Sequence, residues 1–141
     1  RLLGDAVAAA DRTGCADAGL IGFCMGGMYA LKGAAAGRFD RVAGFYGMIR
    51  VPDAWMGPGQ RQPLEAVAAR GSTEVMAIVG TVDAWTPPDD VDALERSGVT
   101  VVRYEGADHG FVHDPDRPAH RPVDAADAWT RVLAFLAGPP V

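Results

Sequence analysis

The chain has 141 residues, which is enough for one domain around a single core. Apolar residues make up 49% of the sequence and charged residues 22%, close to the average of soluble globular proteins, so a disordered or fibrous protein is excluded. Thirteen basic and 18 acidic residues give a net charge of −5, and the scattered arginines form no basic stripe, so we expect no nucleic-acid partner.

The predicted secondary structure alternates between helices and short strands. Leu2–Ala10 has apolar residues at helical spacing and predicts an amphipathic helix that stops at Thr13-Gly14. Short apolar runs then predict four strands, over Leu20–Phe23, Val42–Tyr46, Val75–Val79 and Val99–Tyr104.

Three further helices lie between or after these strands. Gly27–Ala36 consists of good helix formers and is closed by Gly37 as the C′ residue. Pro87–Ser97 begins with a proline at its first position and has Thr86 as its expected N-cap. Val123–Leu136 closes the chain as an amphipathic helix.

The alternation of helices with nearly continuous apolar strands indicates an α/β fold, in which helices cover both faces of a parallel sheet. In such sheets the functional residues gather at the carboxyl ends of the strands. The loop directly after each strand is therefore the place to look for chemistry. Trp55 and Trp85 stand on loops near strand ends, where they either line an apolar pocket or pack beneath long loops.

The first strand is followed by Gly22-Phe23-Cys24-Met25-Gly26-Gly27, which has the form of a nucleophile elbow. We expect Gly22 and Gly26 to be required because a Cβ at either position would clash as the chain doubles back. The helix that follows would point free amides and its positive dipole end at the sulfur, which favours the thiolate. The alternative is that Cys24 is a small buried apolar side chain, and that the glycines beside it only allow the helix and the strand to pack closely. A dinucleotide-binding turn is disfavoured because Cys24 replaces its second glycine.

Two more candidates follow later strands. Asp83 ends the segment Gly80-Thr81-Val82-Asp83, and His109 lies on the loop Gly106–Phe111. The chain order is therefore nucleophile, acid and histidine, at Cys24, Asp83 and His109, and each residue follows a strand. This is the order of residues in an α/β-hydrolase triad.

Each of these polar residues also has a purely structural interpretation. Asp83 can be explained as a turn residue, and His109 as a surface loop histidine, which is what we expect of His113 and His120. Asp108 suits a turn better than an interaction with the ring of its own neighbour.

Cysteine, histidine and apolar patterns limit the remaining possibilities. Two cysteines are too few for a disulfide scaffold, so we expect free thiols and a cytoplasmic setting, with no catalytic role for Cys15.

His109 and His113 are four residues apart, but in a loop without other ligands this spacing predicts no metal, and we expect no cofactor. The longest apolar runs, Ala6–Ala10 and Leu133–Ala137, fall short of the roughly 18 residues that a membrane span needs.

Taken together, the motifs resemble the dienelactone hydrolase family of α/β-hydrolases. The resemblance spans residues 22 to 111, and its most specific part is the cysteine elbow, because most α/β-hydrolases carry serine there. It implies a Cys–His–Asp triad of Cys24, His109 and Asp83, with the backbone N–H of Met25 as one oxyanion donor. The matching segments are Gly22–Gly27, Phe45-Tyr46-Gly47, Gly80–Asp83 and Gly106–Phe111.

The resemblance further implies hydrolysis of small esters or lactones, such as a carboxymethylenebutenolide-like compound, through an acyl-enzyme thioester. It also implies that residues 1–141 form a single domain matching the carboxyl-terminal half of the fold, without the family's first strands. The second oxyanion donor, a glutamate that gates the thiol and a carboxylate-binding arginine would belong to that other half. A second family arginine is expected four residues after the histidine, where His113 stands.

Two alternatives to this ester or lactone hydrolase remain open. The first is a catalytically silent hydrolase-like module for interaction or assembly. The second is a relative of serine esterases and peptidases with cysteine in place of serine. Peptidase activity is disfavoured because a thiolate is a good leaving group and suits activated acyl donors. In the family the strand Leu20–Phe23 is central, so here its unpaired edge predicts self-association or pairing with a complementing N-terminal half.

Overall fold

The computed structural model describes residues 1–138 of the chain. The predicted helices and strands occur in the predicted order, with one further short helix between the second and third strands. Within residues 1–138, none of the helices combines the length and the hydrophobicity that crossing a membrane requires. The elements are α1 Leu2–Arg12, β1 Gly19–Phe23, α2 Met25–Gly33, β2 Arg41–Phe45, α3 Pro63–Ala68, β3 Glu74–Gly80, α4 Pro88–Arg96, β4 Thr100–Tyr104 and α5 Pro122–Ala137, with 3₁₀ turns at Ala34–Ala36 and Asp53–Trp55.

The strands form one parallel sheet in the order β1-β2-β3-β4, which confirms the predicted α/β architecture. The register places Phe23 of β1 beside Phe45 of β2, and Phe45 beside Ile78 of β3. The carboxyl ends of these strands therefore meet at one end of the sheet, so the loops that follow them converge there.

Helices cover both faces of the sheet because side chains along each strand alternate between two cores. Val42 belongs to a core that it shares with Leu31 of α2 and Leu94 of α4. The next residue, Ala43, belongs to the opposite core, which contains Val132 of α5. The sheet is thus packed between helices on both faces, and the loops at its carboxyl end extend from this packed core.

Within residues 1–138, β1 forms one edge of the sheet. Its residues Leu20, Ile21 and Phe23 are only half-buried, whereas Val42–Phe45 of β2 are buried. An edge strand leaves a row of backbone donors and acceptors available for pairing with another chain.

The start of α4 differs from the prediction. Thr86 is not the N-cap: Pro87 takes that position with an extended backbone, and Pro88 is the first helical residue. The reason is steric, because a residue that precedes proline is pushed out of the helical region. Thr86 is buried, and its hydroxyl makes no hydrogen bond within the described residues.

α2 and α3 also depart from the expected boundaries. α2 begins at Met25, directly after the elbow, and its predicted end is a 3₁₀ turn closed by Gly37 in the left-handed conformation, as expected of a C′ glycine. α3 was not predicted. Its signal was a capping box between Gln62 and Glu65, with Pro63 at the first helical position.

Candidate active site

Cys24 lies at the sharp turn between β1 and α2. Its backbone has φ 54° and ψ −121°, a strained conformation for a residue with a side chain and one that is typical of a nucleophile elbow. Two hydrogen bonds hold the turn: the Cys24 amide donates to the Phe45 carbonyl at 3.0 Å, and the Met28 amide donates to the Cys24 carbonyl at 3.0 Å. The thiol is consequently exposed rather than packed as a small apolar side chain.

The structure corrects one of the two glycine predictions at this elbow. A Cβ on Gly22 would collide with the backbone carbonyl of Gly26, as expected, but a Cβ on Gly26 would meet nothing within 4 Å. The second constrained position is Gly27, where a Cβ would lie 2.6 Å from the Phe45 carbonyl oxygen. The close approach is therefore between the first turn of α2 and the end of β2, one residue later than predicted.

This difference predicts opposite effects for two neighbouring substitutions. Gly22→Ala should destabilise the fold by about 2–3 kcal/mol because the added methyl group forces the elbow backbone apart. Gly26→Ala, which places the same methyl group in open space on a helix, should cost nothing and gain up to about 1 kcal/mol. Urea denaturation followed by circular dichroism measures both, and equal midpoints for the two variants would contradict the assignment.

His109 connects the thiol with a buried carboxylate. Its Nε2 lies 3.1 Å from Cys24 Sγ, and its Nδ1 lies 2.9 Å from Asp83 Oδ2. The Asp83 side chain is fully buried, whereas 17% of the His109 side chain is exposed. The second carboxylate oxygen, Oδ1, accepts the Trp85 amide at 2.8 Å, so Asp83 also has the turn role that was its structural alternative. The structure thus brings the three predicted residues together from three different loops.

Tyr46 was missed as a neighbour of this group. It is fully buried with φ 39° at the end of β2, and its ring meets the His109 ring edge-on, with the centroids 5.1 Å apart. Burial raises the pKa of Tyr46 above its ordinary value, and its hydroxyl is hydrogen-bonded to His113 Nδ1. His113 is exposed, as expected for a loop histidine, but its ring also packs on Phe23, with the centroids 5.5 Å apart.

The remaining polar candidates lie away from the thiol. Asp108 accepts a hydrogen bond from the backbone amide of His109 at 2.7 Å, which is the predicted turn role. Cys15 is exposed on the loop after α1. It borders a surface depression of about 640 Å³ at the amino-terminal end of the strands, opposite the end where functional loops of parallel sheets converge.

The first turn of α2 supplies the expected hydrogen-bond donor beside Cys24. Met25 is the first residue of that helix, and first-turn amides have no acceptor inside their own helix. The Met25 N–H therefore lies at the positive end of the helix dipole, next to the thiol. This arrangement can stabilise negative charge that develops on an oxygen bound there.

A cavity of about 340 Å³ opens at Cys24 and His109. Trp55 and Trp85 both line it, with their ring centroids 6.1 Å apart, so the pocket interpretation of these two tryptophans is confirmed. Lys32, which was not predicted as a site residue, also lines the cavity and is only 6% exposed. A signal was present, since Lys32 is the single lysine of the chain and stands in an otherwise apolar helix.

Comparisons with known proteins agree with the fold. The model of the dienelactone hydrolase family matches residues 4–138. The carboxymethylenebutenolidase of Rhodococcus opacus is 32% identical over 125 residues, which cover 84% of this chain and 48% of that protein. The chain spans about half the length of the curated relatives it matches.

Solved structures show the same likeness. The "Putative Dienelactone Hydrolase" of Klebsiella pneumoniae superimposes with a TM-score of 0.74 at 28% identity, over 86% of this chain and 52% of that chain. The monoacylglycerol lipase of Paleococcus ferrophilus superimposes with a TM-score of 0.69 at 14% identity, over 96% of this chain and 73% of that chain. At that level of identity the likeness concerns the fold alone.

Proposed function

Because the chain belongs to the dienelactone hydrolase family and shares its α/β-hydrolase fold, we propose that it hydrolyses small esters or lactones with Cys24 as the nucleophile. The observation that supports this most directly is the position of His109, within hydrogen-bond distance of both Cys24 Sγ and Asp83 Oδ2. Nucleophile, base and orienting carboxylate need such contacts for covalent catalysis.

The proposed reaction begins with proton transfer from the Cys24 thiol to His109 Nε2. The thiolate attacks the carbonyl carbon of the ester, and the Met25 N–H donates to the oxygen on which negative charge develops. The tetrahedral intermediate collapses, the C–O bond breaks, and the leaving alkoxide takes the proton from His109. Water then attacks the thioester with His109 as base, which releases the acid and restores the thiol.

Asp83 has a separate part in this scheme. As a buried carboxylate, it accepts a hydrogen bond from the Nδ1–H of His109 and so keeps Nε2 free to receive the thiol proton. It also stabilises the imidazolium that forms after the proton transfer. Both roles require the short contact between the two side chains but no proton transfer to Asp83.

The proposed substrates are activated acyl donors, such as the enol lactone that the name of the Rhodococcus opacus relative indicates for that protein. A thiolate leaves as readily as it attacks, so the tetrahedral intermediate goes forward only when the leaving alcohol is also a good leaving group. The direct test is hydrolysis of p-nitrophenyl acetate by residues 1–141. Release of nitrophenolate faster than in buffer supports the proposal, and a rate equal to that in buffer contradicts it.

We also propose that the edge of β1 pairs with another chain, either a second copy or a complementing N-terminal segment. The half-buried Leu20, Ile21 and Phe23 on an edge strand support this. Sedimentation velocity of residues 1–141 at micromolar concentration should show dimers or larger species. A single monomeric species over the whole concentration range would contradict the proposal.

A further inference from the structure

Lys32 is a buried cation on the wall of the cavity that opens at Cys24. It lies in the last turn of α2 and is 6% exposed. Its Nζ lies 3.2 Å from Gln60 Oε1 and 3.9 Å from Met56 Sδ, and 5.6 Å from the centroid of the Tyr29 ring. These neighbours are all uncharged.

A buried ammonium group without an anionic partner is costly, and lysines that are buried to this extent are normally paired. Within the described residues 1–138, none of the ion pairs includes Lys32. Burial accordingly lowers the pKa of Lys32 below its ordinary value. The weak acceptors Gln60 Oε1 and the Tyr29 ring only partly replace water. A negatively charged group on a ligand would stabilise the ammonium form of Lys32 more than these neighbours do.

The cavity connects this cation with the reacting sulfur. Cys24 precedes the first residue of α2 and Lys32 lies in its last turn, so the two are about 12 Å apart along the helix axis. Both line the same cavity, and Trp55 and Trp85 add apolar surface to its wall. A ligand that reaches both ends is therefore elongated, apolar in its middle and negatively charged at one end.

We propose that Lys32 binds the carboxylate of an elongated ester whose scissile carbonyl lies at Cys24. This inference rests on the proposed function and narrows its substrate class: the carboxylate and the reacting carbonyl are separated by a chain of roughly 10 Å, longer than a compact lactone provides. Binding restores the charge partner that Lys32 lacks, and the ester's apolar chain packs against the two tryptophans.

The test compares two p-nitrophenyl esters that differ only in charge. One is the p-nitrophenyl monoester of suberic acid, with a free carboxylate at the far end, and the other is its neutral methyl ester. The kcat/KM of the anionic ester should exceed that of the neutral ester by about 10- to 100-fold, the range expected for a hydrogen bond to a buried charge. The Lys32→Met variant should lose this preference, so that its kcat/KM values for the two esters agree within a factor of about two.

Arg61→Met is the matched control. It removes the same charge from an exposed residue that does not line this cavity, so it should leave the preference within a factor of about two, as surface charges contribute little. If the wild-type chain hydrolyses both esters equally well, or if Arg61→Met lowers the preference as much as Lys32→Met, the inference is wrong while the proposed function stands.

A binding measurement separates this inference from the proposed function. Suberic acid monomethylamide carries the same carboxylate but no ester, and calorimetry gives its affinity for the wild-type chain and for Lys32→Met. Binding that weakens at least 10-fold in the variant supports the inference even if neither ester is hydrolysed. Equal affinity for the two chains shows that Lys32 is held by Gln60 for structural reasons only and overturns the proposal.

Discussion

Cys24→Ala is expected to lower the hydrolysis of p-nitrophenyl acetate by roughly 10³-fold or more, to a rate close to that in buffer. The loss is large because His109 and Met25 assist only a reaction that begins at the sulfur, so removal of the nucleophile leaves them without a role. The substitution itself should not disturb the fold. The thiol is exposed, and alanine keeps the Cβ and the backbone hydrogen bonds of the elbow.

Cys15→Ala is the matched control, since it removes the other exposed thiol of the chain. It should retain the full rate because Cys15 lies on the loop after α1, far from His109. Mass spectrometry of the wild-type chain quenched in acid during turnover should further find an acetyl group on the peptide that contains Cys24. Equal rates for the wild-type chain and Cys24→Ala, or acetylation of Cys15 alone, would remove Cys24 from the proposed mechanism.

The elements of the fold could largely be predicted from the sequence because their signals are local. Each strand is an apolar run of the length that a buried parallel strand needs, and Gly37 ends the helical segment where a left-handed residue is required. α3 was missed because a helix of only six residues shows too little periodicity. Its capping box is a local signal that could have revealed it.

At the elbow, the constraint on one glycine could be predicted from the motif, whereas the constraint on another depends on a distant segment of the chain. A clash at Gly22 could be predicted, because the atoms that it approaches belong to the same turn. The constraint on Gly27 comes instead from Phe45, 18 residues further along the chain, and depends on how closely α2 approaches the end of β2. Contacts of this kind are set by the packing of elements, so no spacing rule within the motif distinguishes Gly26 from Gly27.

In the cavity, too, the positions of some residues could be predicted from the order of the elements, whereas the burial of Lys32 could not. That Cys24, Asp83 and His109 lie near one another follows from parallel strands whose carboxyl ends meet, which the alternation of elements already predicts. The burial of Lys32 follows from Met56 and Gln60 in the segment between β2 and α3, which folds back over α2. Nothing in the helix itself distinguishes a lysine that is covered in this way from one that extends into solvent.

Asp83→Asn should lower kcat for p-nitrophenyl acetate by about 10³- to 10⁴-fold while the fold is retained. Asparagine has the size of aspartate, and its amide oxygen can still accept the Trp85 N–H that Oδ1 accepts now. The amide NH₂ group then faces His109 Nδ1 in place of Oδ2 and donates to it. The neutral imidazole consequently carries its proton on Nε2, where it faces Cys24 Sγ and cannot accept the thiol proton.

Asp108→Asn is the control, because it removes the same charge next to His109 but alters only a bond to that residue's backbone amide. Steady-state kinetics of both variants, with circular dichroism to compare their folds, should give a full rate for Asp108→Asn and near-background hydrolysis for Asp83→Asn. If Asp83→Asn folds and retains more than a tenth of the wild-type kcat, then Asp83 acts only as the turn residue that holds Trp85, and His109 works without an orienting carboxylate. Comparable losses in the two variants would instead show that negative charge near His109 matters more than the contact between Asp83 Oδ2 and Nδ1, since only Asp83 makes that contact.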